Sequence, residues 1–486
     1  MIDKIQYFMI NPWALFSFFL FFILTLIFLC EVSYKKKLLS PKIIRAIIHS
    51  LVGIGVSLSP FIFESFFQPI FLALLFFSIN LLSYKNNQLK SFHDVNRDSL
   101  GTIFFPISFI ILAIPFWENK YFITSSFMIL AISDPLASIV GNYYKKAHFY
   151  KISMEIKSIE GSLIMFLSTS TILLFLSDHI FNGFNIINST ITILLCSIFI
   201  TISESISTKG SDNLSIPLTA YIFIEMFNFL NESESIIQFS LTISIIICLL
   251  FYFYRKNHLS LSGFLSASLM AALITGLGGS FYLIPIIIFF ISSTIISKLG
   301  SSTNFKGSIN RSVSQVISNG GIPLLICIIN HFYQYDILYY AFLASLAAAN
   351  SDTWGTEIGK FSKVRPVDII SRITLSKGES GGVTSIGLLG SVIGSLVIGL
   401  SGYLFVNNLK YVLLISISGC LGAIFDSVLG STLQGRFISG DGLIISEEKE
   451  DNFYLITGLN IFNNDFVNLC CTLSAPIFFL LINYYL

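Results

Sequence analysis

Residues 13–30 read WALFSFFLFFILTLIFLC and contain no charged side chain. A helix needs about 20 mostly apolar residues to cross a bilayer, and runs of this kind follow one another along the chain. The composition agrees, because 54% of the residues are apolar, only 11% are charged and the mean hydropathy is +0.80. Soluble domains carry about 25% charged residues, and the alternating ten-residue segments of a membrane β-barrel are absent. The sequence therefore predicts an all-α polytopic integral membrane protein.

The apolar runs predict about sixteen transmembrane helices. Their centres lie near residues 22, 54, 76, 109, 130, 169, 197 and 222 in the first half, and near 245, 269, 290, 322, 344, 394, 422 and 475 in the second. The first run lacks a cleavable-signal pattern, so we expect it to remain as a helix. We place the domains at residues 1–254 and 255–486, and the spacing of shared motifs predicts two parallel repeats.

Basic residues alternate between the loops. Residues 35–45, 145–157 and 360–377 are rich in Lys and Arg, whereas intervening loops such as 231–234 carry none. The positive-inside rule puts the basic loops in the cytoplasm and both termini outside. The abundance of Ile, Phe, Asn, Lys and Ser suggests a bacterial source, so we expect a bacterial inner membrane with the polar motifs on its cytoplasmic side. A net charge of +1 gives no reason to expect a nucleic-acid partner.

The same sparse polar residues occur in the same order in both halves. The first copy consists of Asp134, Gly141, Lys157, Glu204 and the pair Asp212-Asn213. The second copy consists of Asp352, Gly359, Lys377, Asp426 and the pair Asn464-Asp465. The step from the first aspartate to the glycine is seven residues in both copies. In so apolar a chain, this repetition indicates one active-site design used twice.

The acidic residues are candidate ligands for a metal ion. Asp134 and Asp352 lie at the predicted ends of apolar helices, where an unpaired carboxylate costs a few kcal/mol and is by default functional. With Glu204, Asp212 and Asp426 they offer the oxygen ligands that suit Mg²⁺ shared with nucleotide phosphates. The alternative roles are helix caps, turns and isolated salt bridges.

The basic and small residues are candidate phosphate ligands. Lys157 is followed by Gly161-Ser162, and Lys377 by Gly381-Gly382. Small residues at a helix start let backbone N–H groups approach an anion, and the helix dipole adds positive potential. Arg97 and Arg311 are similar candidates, although membrane anchoring explains them almost as well. The lysines and glycines have an alternative too, in snorkelling and close helix packing.

Several other site types are unsupported. No G-x-x-x-x-G-K-[ST], H-E-x-x-H or G-x-G-x-x-G motif occurs, nor does a Ser–His–Asp order. The seven cysteines lie in apolar runs without C-x-x-C spacing, which argues against zinc and disulfides. Arg45 and His49 are four residues apart and share a helix face, but a lone histidine there is more often structural.

These motifs together resemble two membrane enzyme families. Residues 30–230 resemble the phytol kinase and dolichol kinase family, related to phosphatidate cytidylyltransferases, through RAIIH at 45–49, SLGTI at 99–103, DPLA at 134–137, KSIEGS at 157–162 and GSDNLSIP at 210–217. Residues 259–486 resemble the membrane family that includes phytyl-phosphate kinase, through NR at 310–311 with Gln315, SDTWGTEIG at 351–359, GGVT at 381–384, FDSVLG at 425–430 and NNDFVN at 463–468. The first half departs from its pattern, since Ser133 and Ser211 stand where glycine and an acid are common.

The resemblance implies two consecutive phosphorylations. The first half would phosphorylate an isoprenoid alcohol of phytol or polyprenol type, using CTP or another nucleoside triphosphate with Mg²⁺, and the second half would convert the monophosphate to the diphosphate. In the first site Asp134, Glu204 and Asp212 would hold the metal or orient the nucleotide, and Lys157 would contact phosphate. In the second site these roles would fall to Asp352, Glu357, Asp426 and Asp465, and to Lys377.

Two other functions remain open on sequence grounds. The same family background allows cytidylyl transfer to a lipid phosphate, which releases pyrophosphate instead of CDP. A transporter built from parallel repeats would also carry carboxylates along its path. Transporters place such groups near the middle of the membrane, whereas these residues lie at predicted helix ends.

Overall fold

The structure, a computed structural model, describes residues 11–85, 99–144, 148–152, 155–301, 310–440, 445–447 and 452–486. Within these residues the chain forms sixteen helices, and each predicted centre lies inside one of them. Fourteen are long and apolar enough to cross a membrane. The predicted fold class, an all-α polytopic membrane protein, is confirmed.

The chain divides into two compact units, residues 1–240 and 241–486. The helices of the first unit are α1 Pro12–Lys35, α2 Pro41–Ile62, α3 Phe67–Lys85, α4 Gly101–Phe116, α5 Lys120–Tyr143, α6 Ile159–Ile180, α7 Ile186–Ile206 and α8 Asp212–Glu232. Helix α9, Ile236–Arg255, contains the division. The second unit continues with α10 Leu261–Gly278, α11 Ser280–Ser301, α12 Val313–Tyr333, α13 Asp336–Gly359, α14 Ser385–Val406, α15 Leu409–Thr432 and α16 Asn464–Tyr485.

Short antiparallel strands occupy three of the connections between helices. Strands β1 Phe149–Ile152 and β2 Glu155–Ser158 pair between α5 and α6, and β3 Val367–Asp368 and β4 Gly382–Val383 pair between α13 and α14. Strands β5 Arg436–Ser439, β6 Ile445–Ser446 and β7 Phe453–Thr457 form a sheet of order β6-β5-β7 before α16. The hydropathy pattern did not predict these strands, because each is too short to show a period.

Two of the sixteen helices fall outside the set of long apolar spans, for different reasons. Helix α4 is apolar but has only 16 residues. Helix α13 has 24 residues, but its C-terminal part carries Asn350, Asp352 and Glu357. Every residue from 341 to 351 is buried, and α13 packs against α11, α12, α14, α15 and α16. Because protein and not lipid surrounds this helix, polar side chains on it can find partners.

Small residues allow the neighbouring helices to approach α13 closely. A Cβ atom added at Gly394 of α14 would lie 2.9 Å from the Asn350 carbonyl oxygen, and one at Gly419 of α15 would lie 2.7 Å from Ala347 Cβ. Interfaces between membrane helices favour such residues, since packing replaces the hydrophobic effect there. In the first unit the core lies between α5, α7 and α8, where Phe199 and Phe223 stack with ring centres 5.0 Å apart.

Candidate active site

A cavity of about 460 Å³ opens in the first unit, and its two ends differ in chemistry. The apolar walls come from α1 to α4. They include Phe19, Phe22, Ile23, Val52, Phe63, Leu72, Phe76, Phe105 and Phe109. The polar end comprises Arg45, His49, Asp134, Lys157, Gly161, Ser162, Glu204 and Asp212. Residues more than a hundred positions apart in sequence therefore meet in one cavity, beside an apolar compartment.

Lys157 and Glu204 form a buried ion pair at the polar end. Lys157 lies on β2 and Glu204 near the end of α7, and their side chains are only 16% and 10% exposed. Lys157 Nζ donates to Glu204 Oε1 at 2.5 Å and to its backbone oxygen at 3.3 Å. Burial alone would lower the pKa of Lys157, but the carboxylates of Glu204 and Asp212 outweigh it and raise that pKa above its ordinary value. The ammonium is therefore held charged.

A tyrosine hydroxyl joins the β1–β2 hairpin to two helices. Tyr150 Oη lies 2.6 Å from Ser162 Oγ on α6 and 3.1 Å from Ser205 Oγ on α7. Residues 149 and 158 pair in register across the hairpin, so the hydrogen bonds of Tyr150 also fix the position of Lys157 on the neighbouring strand. Tyr150 has no counterpart in the repeated motif, and a sequence pattern offers no signal for it.

Asp134 follows an irregular turn within α5. Residues Ile129–Ser133 form a π-helical turn, a feature that is frequent at functional sites. A π-turn pairs residues five apart, and the residue five after Leu130 is Pro135, which has no N–H group. The Leu130 carbonyl instead accepts from His49 Nε2 at 3.1 Å, and the same nitrogen lies 3.9 Å from Asp134 Oδ2. His49 thus ties α2 to the segment that carries Asp134.

Asp212 is positioned by the start of α8. Its carboxylate accepts from the backbone N–H of Asn213 at 2.9 Å, and its electrostatic influence reaches Lys157. The preceding loop packs tightly on the start of α4, where the Leu100 N–H donates to the Lys209 carbonyl at 2.9 Å. Gly210 has a φ of +84°, and a Cβ there would lie 2.4 Å from the Gly101 nitrogen. This loop position requires glycine.

Gly161 and Ser162 line the cavity but already have internal contacts. The Gly161 N–H donates to Ser158 Oγ at 3.1 Å as part of the helix cap. A Cβ at Gly161 would lie 3.5 Å from the Gly141 Cα, so the two glycines bring α5 and α6 together. The geometry gives these glycines a packing role, and their predicted contact with phosphate stays a prediction.

The second unit brings Asp352 of α13 and Asp426 of α15 together. Their carboxylates interact electrostatically, and both also interact electrostatically with the thiol of Cys471 on α16. Asp426 Oδ2 is buried and has no hydrogen-bond partner among the described residues. Buried polar atoms normally have partners, so an orphaned carboxylate oxygen beside a second carboxylate fits the donor chemistry of a divalent cation.

Among the described residues of the second unit, Lys360 pairs with an acid of the predicted site, whereas Lys377 has backbone partners. Lys360 Nζ lies 2.8 Å from Glu357 Oε2, an i, i+3 pair that the sequence spacing could have revealed. Lys377 Nζ instead donates to the backbone carbonyls of Lys360 at 3.2 Å and Ser362 at 2.6 Å. Arg311 acts electrostatically on Glu357. Lys377 therefore secures the loop that follows α13.

The other predicted residues are placed as follows. Gly381 has a φ of +83°, and a Cβ there would lie 2.8 Å from Ser431 Cα, so it lets the loop approach α15. Gly382 belongs to β4. Asp465 lies in the first turn of α16, partly exposed, with no hydrogen bond or ion pair to a described residue. Arg97 lies outside the described residues.

Two acids that the sequence interpretation missed organise the loops of the second unit. Asp368 is buried, and its Oδ1 accepts from the Ser371 N–H at 2.7 Å and from Ser431 Oγ at 2.8 Å. The Glu447 carboxylate accepts hydrogen bonds from the backbone N–H of Ser380 at 2.8 Å and from the Ser380 hydroxyl at 2.6 Å. Neither acid has a counterpart in the first half, and the repeat therefore gave no signal for them.

A metal site made by protein ligands alone is not found in the described part of the chain, where no three His, Cys, Asp or Glu side chains converge. Mg²⁺ usually takes one or two carboxylates together with substrate phosphates and water. The pair Asp352 and Asp426 fits that requirement. In the first unit Glu204 is engaged by Lys157, which leaves Asp134 and Asp212 as the available carboxylates.

Comparison with known proteins gives one family match and several similar proteins. Residues 244–476 match the integral membrane protein family DUF92. An uncharacterized membrane protein of Methanocaldococcus jannaschii is 30% identical over 254 residues, which are 51% of this chain and 96% of that protein. The protein named PGR of Arabidopsis thaliana is 27% identical over 266 residues, 48% of this chain and 92% of its own.

A third relative carries an enzyme name. The phytol kinase of a Synechocystis strain is 32% identical over 144 residues, which are 29% of this chain and 60% of that kinase. No solved structure matches the chain. The resemblances seen in the motifs are confirmed at the level of family. This chain belongs to the integral membrane proteins of family DUF92 and is similar in part to a phytol kinase.

Proposed function

We propose that the protein is a membrane-bound isoprenoid kinase with two sites. Residues 1–254 would phosphorylate an isoprenoid alcohol of phytol or polyprenol type, and residues 255–486 would phosphorylate the resulting monophosphate to the diphosphate. CTP or another nucleoside triphosphate would be the donor, with Mg²⁺. Both sites would face the cytoplasm of a bacterium, at the basic loops.

The observation that carries this proposal is the two-part cavity of the first unit. A long-chain alcohol has an apolar body and one reactive hydroxyl, and the cavity has apolar walls and one charged end. Ligand sites commonly combine apolar walls with a few placed polar groups. The partial similarity to a phytol kinase supports the same substrate class.

In the first site we assign phosphate binding to Lys157. Its ammonium has three N–H donors, and Glu204 takes two of them, which leaves one for a phosphate oxygen. Glu204 would act as a positioning residue, because it holds Lys157 at the cavity. Asp134 and Asp212 would bind the Mg²⁺ of the nucleotide, and Gly161, Ser162 and Arg97 stay candidates for phosphate contact.

In the second site we assign Mg²⁺ to Asp352 and Asp426. When bound, the ion would neutralise phosphate charge as the phosphoryl group transfers. Glu357 is held by Lys360 and lies near Arg311, so it would position these cations for phosphate. Lys377 and Gly382 would act through the loop that follows α13, and Asp465 stays a candidate metal ligand at the start of α16.

The reaction in each site would be an in-line displacement. The acceptor oxygen attacks the γ-phosphorus of the nucleotide, the bond from that phosphorus to the bridging oxygen breaks, and the nucleoside diphosphate leaves with the bond's electron pair. The proton of the hydroxyl passes to solvent or to a carboxylate of the site. Such reactions depend mainly on positioning and charge neutralisation, which a Lys–Glu pair and clustered carboxylates supply.

The proposal is tested with purified protein in detergent and Mg²⁺. Farnesol, phytol or their monophosphates are supplied with CTP, ATP, GTP or UTP, and the lipid and nucleotide products are resolved by mass. We expect mono- and diphosphate from the alcohol, with a nucleoside diphosphate released. Pyrophosphate and a cytidylyl lipid would identify cytidylyl transfer instead, and uptake into proteoliposomes without nucleotide turnover would identify a transporter.

A further inference from the structure

A second, smaller cavity lies between α9, α10, α11 and α12 of the second unit. Its volume is about 100 Å³, and its walls are apolar side chains such as Leu250, Ala267, Met270 and Phe290. One end is different, because the polar side chains of Arg311, Gln315 and Asn319 lie there. An apolar slot closed by a guanidinium suits a molecule that has an apolar chain and an anionic head.

Arg311 lacks the partner that a sheltered cation usually has. Its Nη2 donates to Ser293 Oγ at 3.0 Å, and its guanidinium lies 5.6 Å from the centre of the Phe290 ring. Among the described residues it makes no ion pair within 4 Å. Burial lowers the pKa of Arg311 to about 10, which still leaves it charged at neutral pH. A guanidinium has five N–H donors, so most of its capacity remains for an anion.

A second polar atom without a partner lies on the neighbouring segment, outside the lining of the slot. His258 is 8% exposed, and its Nδ1 is buried and makes no hydrogen bond to a described residue. The backbone N–H of Arg311 donates to the backbone carbonyl of His258 at 3.1 Å, so the backbones of the two residues are held side by side. Burial and the positive charges of Lys298 and Arg311 lower the pKa of His258.

Two helix N-termini converge at the same place. Ser260 caps α10 by accepting from the Gly263 N–H at 3.0 Å, and its own N–H donates to the Arg311 carbonyl at 3.0 Å. Ser312, the next residue, is the N-cap of α12. Helix N-termini attract anions through their free N–H groups and dipole. Their positive potential adds to the charge of the Arg311 guanidinium.

We propose that this slot binds a lipid monophosphate, with the phosphate at Arg311 and the adjoining part of the apolar chain between α9, α10 and α11. A volume of about 100 Å³ is below the roughly 300–1,000 Å³ of pockets that enclose whole ligands. The slot therefore takes the part of the chain next to the phosphate, and the rest of the chain lies in the bilayer. The inference rests on the proposed function of the second unit and adds the acceptor's place.

The charges connect this slot to the carboxylate pair. Arg311 acts electrostatically on Glu357, Glu357 on Asp352, and Asp352 on Asp426. Arg311 is therefore linked electrostatically, through Glu357, to the acids to which we assign Mg²⁺. This arrangement suits an acceptor phosphate better than a nucleotide, because a volume of about 100 Å³ is too small for a base and ribose.

The test measures binding without nucleotide, so that it is separate from catalysis. The full chain in detergent is titrated with farnesyl monophosphate, inorganic phosphate and farnesol, and bound ligand is counted by native mass spectrometry. We expect farnesyl monophosphate to bind at least about tenfold more tightly than either other probe, because only it fills both ends. Equal binding of inorganic phosphate would overturn the role of the slot.

Three variants of this site are compared with two matched controls. Arg311→Gln removes the positive charge. Arg311→Lys keeps the charge but loses the planar guanidinium that can donate two parallel hydrogen bonds to a phosphate. Ala267→Phe fills the slot with a ring. Arg255→Gln removes an exposed charge at the end of α9, and Leu269→Phe adds a ring on α10 away from the slot.

We expect Arg311→Gln and Ala267→Phe to weaken farnesyl monophosphate binding by about tenfold or more, since a hydrogen bond to a charged group contributes at least that much. Both controls should bind as the native protein does. Ala267→Phe leaves Arg311 in place, so it tests the slot if Arg311→Gln fails to fold. Native binding by both variants overturns the inference while the kinase proposal stands. Binding that depends on Arg311, without phosphoryl transfer from any nucleotide, supports the slot and overturns the kinase proposal.

Discussion

The ion pair between Lys157 and Glu204 gives the sharpest prediction of stability. Both side chains are largely buried, so each charge depends on the other and not on water. Removing one partner of such a pair costs about 3–5 kcal/mol, because it leaves an uncompensated buried charge. We therefore expect Lys157→Met and Glu204→Gln each to lower the free energy of unfolding by about that amount. The double variant should recover most of the loss.

The pair Lys35 and Glu31, in which the lysine is exposed and the glutamate half-buried, serves as the control. Its nitrogen and oxygen are 3.6 Å apart, and the lysine side chain is 72% exposed. Glu31→Gln should change stability by at most about 1 kcal/mol. All variants are unfolded in the same detergent, and the double-mutant cycle gives the coupling between the residues. Single losses no larger than that of Glu31→Gln would refute the buried-pair account.

The same pair predicts a pH dependence. The pKa of Lys157 is raised in the folded protein, so its contribution is fully present below its ordinary value of 10.5. It is lost as the pH rises through the higher folded-state value. The stability gap between the native protein and Lys157→Met should therefore stay constant from about pH 7 to 9. A gap that closes within that range would show that Lys157 is not held charged.

Further predictions concern the loops of the second unit and the contact between α2 and α5 in the first. Gly381→Ala should destabilise the protein more than Gly378→Ala. Both positions have positive φ, but only the Cβ added at residue 381 would also collide with Ser431. Thermal unfolding of the two variants measures the difference. The pKa of Asp368 is lowered, since hydrogen bonds from the Ser371 N–H and Ser431 outweigh its burial. The stabilisation by its carboxylate is therefore present above pH 3.8 and is lost as the pH falls through the lower folded-state pKa. Asp368→Asn should thus lower the melting temperature at pH 7, and equal melting temperatures of the variant and the native protein would contradict this. His49→Phe should loosen α2 from the Leu130 carbonyl, and faster hydrogen exchange in residues 129–134 than in the native protein is the expected sign.

The helices were predictable because membrane insertion depends on local apolar length. Each predicted centre lies in a helix, from α1 to α16. The sequence also indicated which residues of the first half would meet, since Asp134, Lys157, Glu204 and Asp212 all line one cavity. Polar residues in an apolar membrane chain are costly in contact with lipid, so they cluster where protein surrounds them.

The pairings between side chains were less predictable. Lys157 and Lys377 occupy equivalent places in the motif, yet one pairs with a carboxylate and the other with backbone carbonyls. The π-helical turn before Asp134 and the Tyr150 link depend on contacts between distant segments, for which the sequence has no periodic signal. The two-site proposal therefore rests on the cavity of the first unit and the acid pair of the second.

The central claim is that two sites act in succession, and a pair of variants tests it directly. Asp134→Asn and Asp352→Asn are assayed with the alcohol and with the monophosphate, and Asp336→Asn, an exposed acid at the other end of α13, is the control. We predict that Asp352→Asn makes monophosphate but no diphosphate. Asp134→Asn should make diphosphate only when the monophosphate is supplied, and Asp336→Asn should do both. Loss of both activities in folded Asp352→Asn, or of neither, would contradict two separate sites.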